Sequence, residues 1–303
     1  MRNRRNGSPR AILCIALMIS LQTTPTLLRA QQPDAIQDWL MTDCEVGQEG
    51  RARAELVQVG TQAVPMLITA AQNGPNASFI TRRQTDLSAA YDSVQQVLAE
   101  GGPDGLDPTD IAAVQVQSRQ DFIAQDLNAF VVSYRIRALQ GLGVVGGSTA
   151  IQTLQQFASD SSSPDLQAVA KETLSGLFSA FSAHLEISGR NRAGFELSAR
   201  FTLGASSDGI NPLTEPVTVQ VGTFFMIITP GSFRLNQRDG TFVFEGVING
   251  VNLEIRIKSL GNNAFAFEAE GSGVDLTALT NPVTVALTIG NDQGLTATSL
   301  EKE

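Results

Sequence analysis

Residues Arg137–Ala150 read RALQGLGVVGGSTA, with Gly141, Gly143 and Gly146 in the spacing G-x-G-x-x-G. This stretch decides between two folds. A dinucleotide-binding turn needs a strand before the first glycine, a helix after the last, and an acidic residue about 20 positions on for the ribose. The residues leading in are RIRALQ, which continue a helical stripe through Leu127, Phe130, Val131, Tyr134, Ala138 and Leu142. FVVSY has strand character, but Arg135 to Gln140 separate it from Gly141, too many residues for the tight turn. Asp160 and Asp165 lie near the ribose distance, yet no strand carries them and no further βαβ unit follows. The glycines therefore read as the bend of a helical hairpin. Gly143 is expected to end one helix in a left-handed conformation, with Gly146 and Gly147 reversing the chain.

Working outward, composition separates helix formers from strand formers. Residues 34 to about 182 are rich in Ala, Gln and Leu, whereas residues 184–303 are rich in Val, Thr, Phe, Gly and Asn. That segregation predicts an all-α domain followed by an all-β domain rather than alternating βαβ units. The expected spans are 1–30, 31–182 and 183–303. In the helical part, Leu87, Tyr91, Val94 and Leu98 recur at steps of four, three and four before Gly101-Gly102. Asp107-Pro108 then reads as the cap and first position of a helix carrying Ile111, Val114 and Phe122 on one face.

Two segments share a pattern. AELVQVGTQAVPMLITAAQ at 54–72 and IRALQGLGVVGGSTAIQTLQQFA at 136–158 are each a helix ending near a glycine, a short turn, and a second helix. The arrangement resembles the short bacterial HEAT repeat, with Arg135, Ala138, Leu142, Gly143, Ala150 and Leu154 at the corresponding places. Gly60, Ala63, Pro65 and Leu67 supply the earlier copy, so Gly60 and Gly143 are expected to be equivalent. Leu166–Leu177, with Val169, Ala170, Thr173 and Leu174 on its stripe, would begin another hairpin. The resemblance implies packed helical pairs that offer a surface to a protein partner. HEAT arrays repeat about every 40 residues, whereas Gly60 and Gly143 are 83 apart. Either a degenerate repeat or a helical insertion spanning 73–118 separates them.

Strict alternation marks the β half. Phe195, Leu197, Ala199, Phe201 and Leu203 share one face, as do Val217, Val219 and Val221. The same holds for Leu253, Ile255 and Ile257, and for Val283, Val285, Leu287 and Ile289. Arg238-Asp239-Gly240, Asn249-Gly250 and Gly261-Asn262-Asn263 supply the turns. INPLTEPVTVQV from Ile210 repeats as LTALTNPVTVAL from Leu276 at an offset of 66, which also places Phe201 on Phe267. Pro216 and Pro282 open strands where a missing N–H is harmless. The expected architecture is a sandwich built from an internal duplication, two similar β units packed face to face.

The first thirty residues carry Arg2, Arg4, Arg5 and Arg10, an apolar run from Ala11 to Leu21, and a small-residue end at Ala30. Together these read as a secretory signal peptide and place the protein in a periplasm or outside the cell. The apolar run is too short to span a bilayer. Removing it takes five of 21 basic residues and no acidic ones, leaving a net charge of −14. Such a chain repels phosphate backbones, so nucleic acid is not an expected partner, and no membrane span is expected. Cys44 alone follows the expected cut, which excludes an internal disulfide.

No residue emerges as catalytic, cofactor-binding or metal-binding. His184 is the single histidine, without the partners that a triad or a two-histidine metal site requires, and reads as a surface residue. Asp104, Asp107 and Asp110 offer oxygens to calcium, but without EF-hand order; a solvated loop with Asp107 as a cap is the simpler reading. The β half has no Trp or Tyr for a sugar-stacking platform. The sequence thus points to an exported, non-catalytic scaffold that binds a protein partner. The alternative is a hydrolase or a ligand- or carbohydrate-binding protein with a site at the domain junction, around His184 and the loop near Asp208.

Overall fold

A computed structural model describes residues 32–41, 46–99, 118–188 and 193–301. The expected export segment 1–30, Cys44, the helix stop at Gly101-Gly102, the run Asp104, Asp107 and Asp110, and Ile111 and Val114 lie outside them. Helices come first and strands after, as the segregated composition requires: α1 (Gln32–Met41), α2 (Val46–Val59), α3 (Val64–Asn73), α4 (Ala77–Ala99), α5 (Arg119–Val145), α6 (Ser148–Ser159) and α7 (Pro164–Ser175) precede the sheets. Asn73–Tyr134 form one unit, and Gln31–Gln72 together with Arg135–Glu303 form the other.

In the first unit, the Asn76 side chain accepts from Phe79 N at 3.1 Å to start α4, and Ser118 Oγ accepts from Asp121 N at 3.1 Å to start α5. The helices share a narrow apolar seam in which Leu87, Phe122 and Phe130 are buried and the Tyr91 and Phe122 rings lie 5.4 Å apart. A charged pair crosses that seam. Arg83 donates to Asp126 at 2.9 Å and stands over the Phe130 ring at 5.5 Å. The described helices of Asn73–Tyr134 thus belong to a unit compact in itself.

In the second unit, the glycine triplet has two jobs rather than one. Gly141 and Gly143 lie inside α5, and the reversal is made by Gly146 and Gly147, at φ +63° and +89°. The expectation that Gly143 ends its helix is therefore corrected. Its place is taken by Gly146, which follows α5 as Gly60, at φ +60°, follows α2. Gly141 is instead a contact point: a Cβ there would stand 2.7 Å from Trp39 Nε1 and 3.0 Å from Leu67 Cδ2. At Gly143 the crowding atoms are Thr173 Cγ2 and Gln293 Nε2, so α5 can approach both α7 and the sheets. Beyond the turns, Ala63 and Leu67 match Ala150 and Leu154, all fully buried. Trp39 Nε1 donates to Arg137 O at 2.7 Å, and the Arg137 guanidinium covers the Trp39 ring while reaching Glu49 at 2.7 Å.

Two sheets follow. β1 (Ala180–Ser188), β2 (Gly194–Thr202), β5 (Arg234–Asn236), β6 (Thr241–Ile248), β7 (Val251–Gly261), β8 (Ala264–Ser272) and β11 (Leu300–Glu301) form a seven-stranded sheet in the order β11-β1-β2-β8-β7-β6-β5. β3 (Val217–Val221), β4 (Phe224–Ile228), β9 (Val283–Ile289) and β10 (Asp292–Thr298) form a four-stranded sheet in the order β10-β9-β3-β4. Every inward residue named from the alternation is buried, in one continuous core that both sheets share. Asn249-Gly250 turns β6 into β7 with both residues at positive φ, as a two-residue hairpin loop requires.

The duplication is laid out side by side rather than face to face. β2 pairs antiparallel with β8, and Arg200 is the register partner of Ala266, its own counterpart at the 66-residue offset. β3 pairs antiparallel with β9, where Gln220 meets its counterpart Ala286. A pseudo-twofold axis thus runs through both sheets, and each half gives strands to each sheet. The reason is backbone satisfaction, because the inner edges of β2 and β3 would otherwise carry unpaired N–H and C=O groups. α2 covers the outer face of the four-stranded sheet. A Cβ on Gly50 would stand 2.5 Å from Ile227 Cδ1, and buried Gln220 donates to Ala54 O at 2.9 Å. Gln58 also donates to Gly222 O.

Candidate functional site

With one face of the seven-stranded sheet turned to the core, its other face is assembled entirely by register. Glu186 pairs with Glu196, Glu196 with Glu270, Glu270 with Glu254, and Glu254 with Glu245. Five glutamates therefore stand directly opposite one another across β1, β2, β8, β7 and β6. At about 4.8 Å between strands the row is about 19 Å long. Like charges at opposed cross-strand positions are destabilising. Such a row is not what packing alone would select.

Two of the five are partly neutralised by arginines on the same face, and a third meets a histidine. Glu254 accepts from Arg256 at 2.6 Å, Glu245 from Arg234 at 2.8 Å, and Glu186 meets His184 Nε2 at 3.0 Å. The hydrogen bond and charge of Glu254 hold the Arg256 guanidinium above its ordinary value. Among the described residues, the central Glu196 and Glu270 have no ion pair. A shallow groove of about 560 Å³ lies over this centre, lined by Glu196, Glu245, Glu254 and Glu270 with Asn252 and Ser272.

The charge changes sign along the strands. Next to the glutamates runs His184, Ser198, Glu268, Arg256, Val243 and Arg234, and beyond it Ser182, Arg200, Ala266 and Lys258. A second hollow of about 780 Å³ is bordered there by Arg234, Arg238, Arg256 and Lys258, with Glu268 and Asp239 among them. The cations of this face thus lie to one side of the glutamate row, interleaved with Asp239 and Glu268 and bordered by Glu245.

Of the residues weighed from sequence, His184 is exposed, as a surface histidine should be, and sits beside the acidic row. Asp208 stands near Asp292, in a different part of the fold, and neither it nor His184 lines the two hollows. The G-x-G-x-x-G stretch has a helix, not a strand, before Gly141, so these glycines do not form a dinucleotide-binding turn. Among the described residues, no three His, Cys, Asp or Glu side chains are grouped to hold a metal ion. No helix among them is long and apolar enough to cross a membrane. The acidic row itself was missed. Glu196 and Glu254 were legible as outward positions, but the register that aligns five strands has no local signal. No family model, curated protein or solved structure matches this chain.

Proposed function

We propose that this chain is a non-catalytic interaction protein of the exported kind, and that the acidic row takes a partner presenting lysines and arginines along an extended segment. The observation behind the reading is the five-glutamate register. It sets like charges opposite one another, and among the described residues it leaves its two central carboxylates without an ion pair. A flat, charged, groove-bearing face of this kind gives specificity and fast association more than raw affinity. We take the helical half to be HEAT-like on its repeated glycine turns at Gly60 and Gly146. In this reading α2 is a cover for the four-stranded sheet, and binding belongs to the opposite surface of the sandwich.

The test is binding of a deca-lysine peptide, with deca-glutamate as control, to the chain without its first thirty residues. Deca-lysine should bind, weaken steeply between 50 and 300 mM salt, and lose about tenfold or more in affinity when Glu196 and Glu270 are both changed to Gln. Undiminished binding by that double variant would remove the row from the interaction. Failure of deca-lysine to bind at 50 mM salt would remove the cationic partner.

A further inference from the structure

The turn between β9 and β10 joins three parts of the larger unit. Gln293 N donates to Gly176 O at 2.7 Å, and Phe178 N donates to Gln293 O at 2.8 Å, tying the turn to the chain that leaves α7. Arg53 of α2, half-buried and facing Glu49, donates to the Gln293 side chain. On the other side lies the loop 204–216. Gly290 N donates to Pro216 O at 3.0 Å, and a Cβ on Gly290 would stand 2.8 Å from Glu215 Oε1.

Asp292 sits in the middle of this junction with no exposed surface. Ser207 Oγ donates to its Oδ2 at 3.0 Å, while Oδ1 is buried without a hydrogen-bond partner among the described residues. The charged groups that act on it are Asp208 and Glu215, both negative. Glu215 is itself held in place, accepting from Asn211 N at 2.6 Å. From α7, Lys171 and Glu172 border the other end of the loop at Ala205 and Ser206. The arrangement suits a protonated carboxyl and opposes an ionised one, because a buried anion needs donors or a cation and finds a single hydroxyl.

We infer that Asp292 is a pH-responsive latch: protonated, it holds the loop 204–216 against the β9–β10 turn, and on ionisation it lets that loop open. The inference is independent of the acidic sheet face. Burial pushes the Asp292 carboxyl up from 3.8 to about 6, with Asp208 and Glu215 adding to the rise and the Ser207 hydrogen bond opposing it. Because the closed form holds the proton more tightly, its added stability is fully present below the ordinary value of 3.8. That stability is lost as the pH rises through about 6.

The experiment is amide hydrogen exchange of 204–216 and 290–293 at pH 5.0 and 7.5 in the full chain, corrected for intrinsic chemistry. Linkage between a closed carboxyl at about 6 and an open one at 3.8 gives a protection about tenfold lower at the higher pH. Asp292→Asn should show the same protection at both pH values within about twofold. Equal protection in the unaltered chain at both pH values would overturn the latch, as would a tenfold drop that persists in Asp292→Asn. A second variant, Glu215→Gln, removes one repelling charge and should move the transition to lower pH; an unmoved midpoint also overturns it.

Discussion

Glu270 stands directly between Glu196 and Glu254 on the sheet face, and replacing it by glutamine measures how much repulsion the acidic row stores. Two carboxylates about 5 Å apart in water repel by about 0.8 kcal/mol, within the range of roughly 0.2–1 kcal/mol found for opposed cross-strand pairs. Arg256 offsets much of the Glu254 charge at 2.6 Å, so the unrelieved pair is Glu196 with Glu270. Glutamine keeps the side-chain length and the outward rotamer, so packing is unchanged. Glu270→Gln should stabilise the sandwich by about 0.5–1 kcal/mol, or about 1–4 °C in Tm for a unit of this size. Thermal and urea unfolding at 20 mM salt would show the gain. In 1 M salt, where the screening length is about 3 Å, the gain should fall by more than half. An unchanged or lowered Tm at low salt, or a gain indifferent to salt, would refute the idea that the row is held against electrostatic cost.

Other substitutions probe separate joints. Asp126→Ala leaves Arg83 without its partner on the α4–α5 seam; because Arg83 keeps some solvent contact, a loss of about 2–4 kcal/mol is expected, read as exchange of 77–99 and 119–134 rising while the strands stay protected. Gly176→Ala would drive a Cβ to 2.2 Å from the Asn291 backbone oxygen, with an expected loss of about 1–3 kcal/mol in urea unfolding; a neutral result would show that the α7 exit is free to shift. Leu154→Ala removes a fully buried side chain of α6, and a loss of about 2–5 kcal/mol should appear as a lower urea midpoint at constant slope.

Local pattern and long-range register were legible to different degrees. The inward faces of β2, β3, β7 and β9 follow from period-two alternation, because each strand buries one side whatever it pairs with. The order of helices before strands follows from composition in the same way. The roles of Gly141 and Gly143 were not legible. A glycine chosen for left-handed backbone and one chosen for close approach look alike in sequence, and only the positions of Trp39, Leu67 and Thr173 separate them. The compact units were also hidden, since Gln220 and Gln293 give no sign along the chain that they bond to α2. The side-by-side layout of the duplicated halves, like the acidic row, depends on which edges meet.

The seam between those halves sets an order of assembly. Its contacts join residues some 60–80 positions apart, from Thr202 with Ala264 to Gly194 with Ser272, so closing it requires a large loop before any seam contact rewards the chain. During synthesis the first half is made with the edges of both β2 and β3 open. Until β8 and β9 arrive, the best available substitute is the same half of another nascent chain. Crowded synthesis therefore carries a hazard of exchanged halves, in which two chains close each other's seams with native hydrogen bonds.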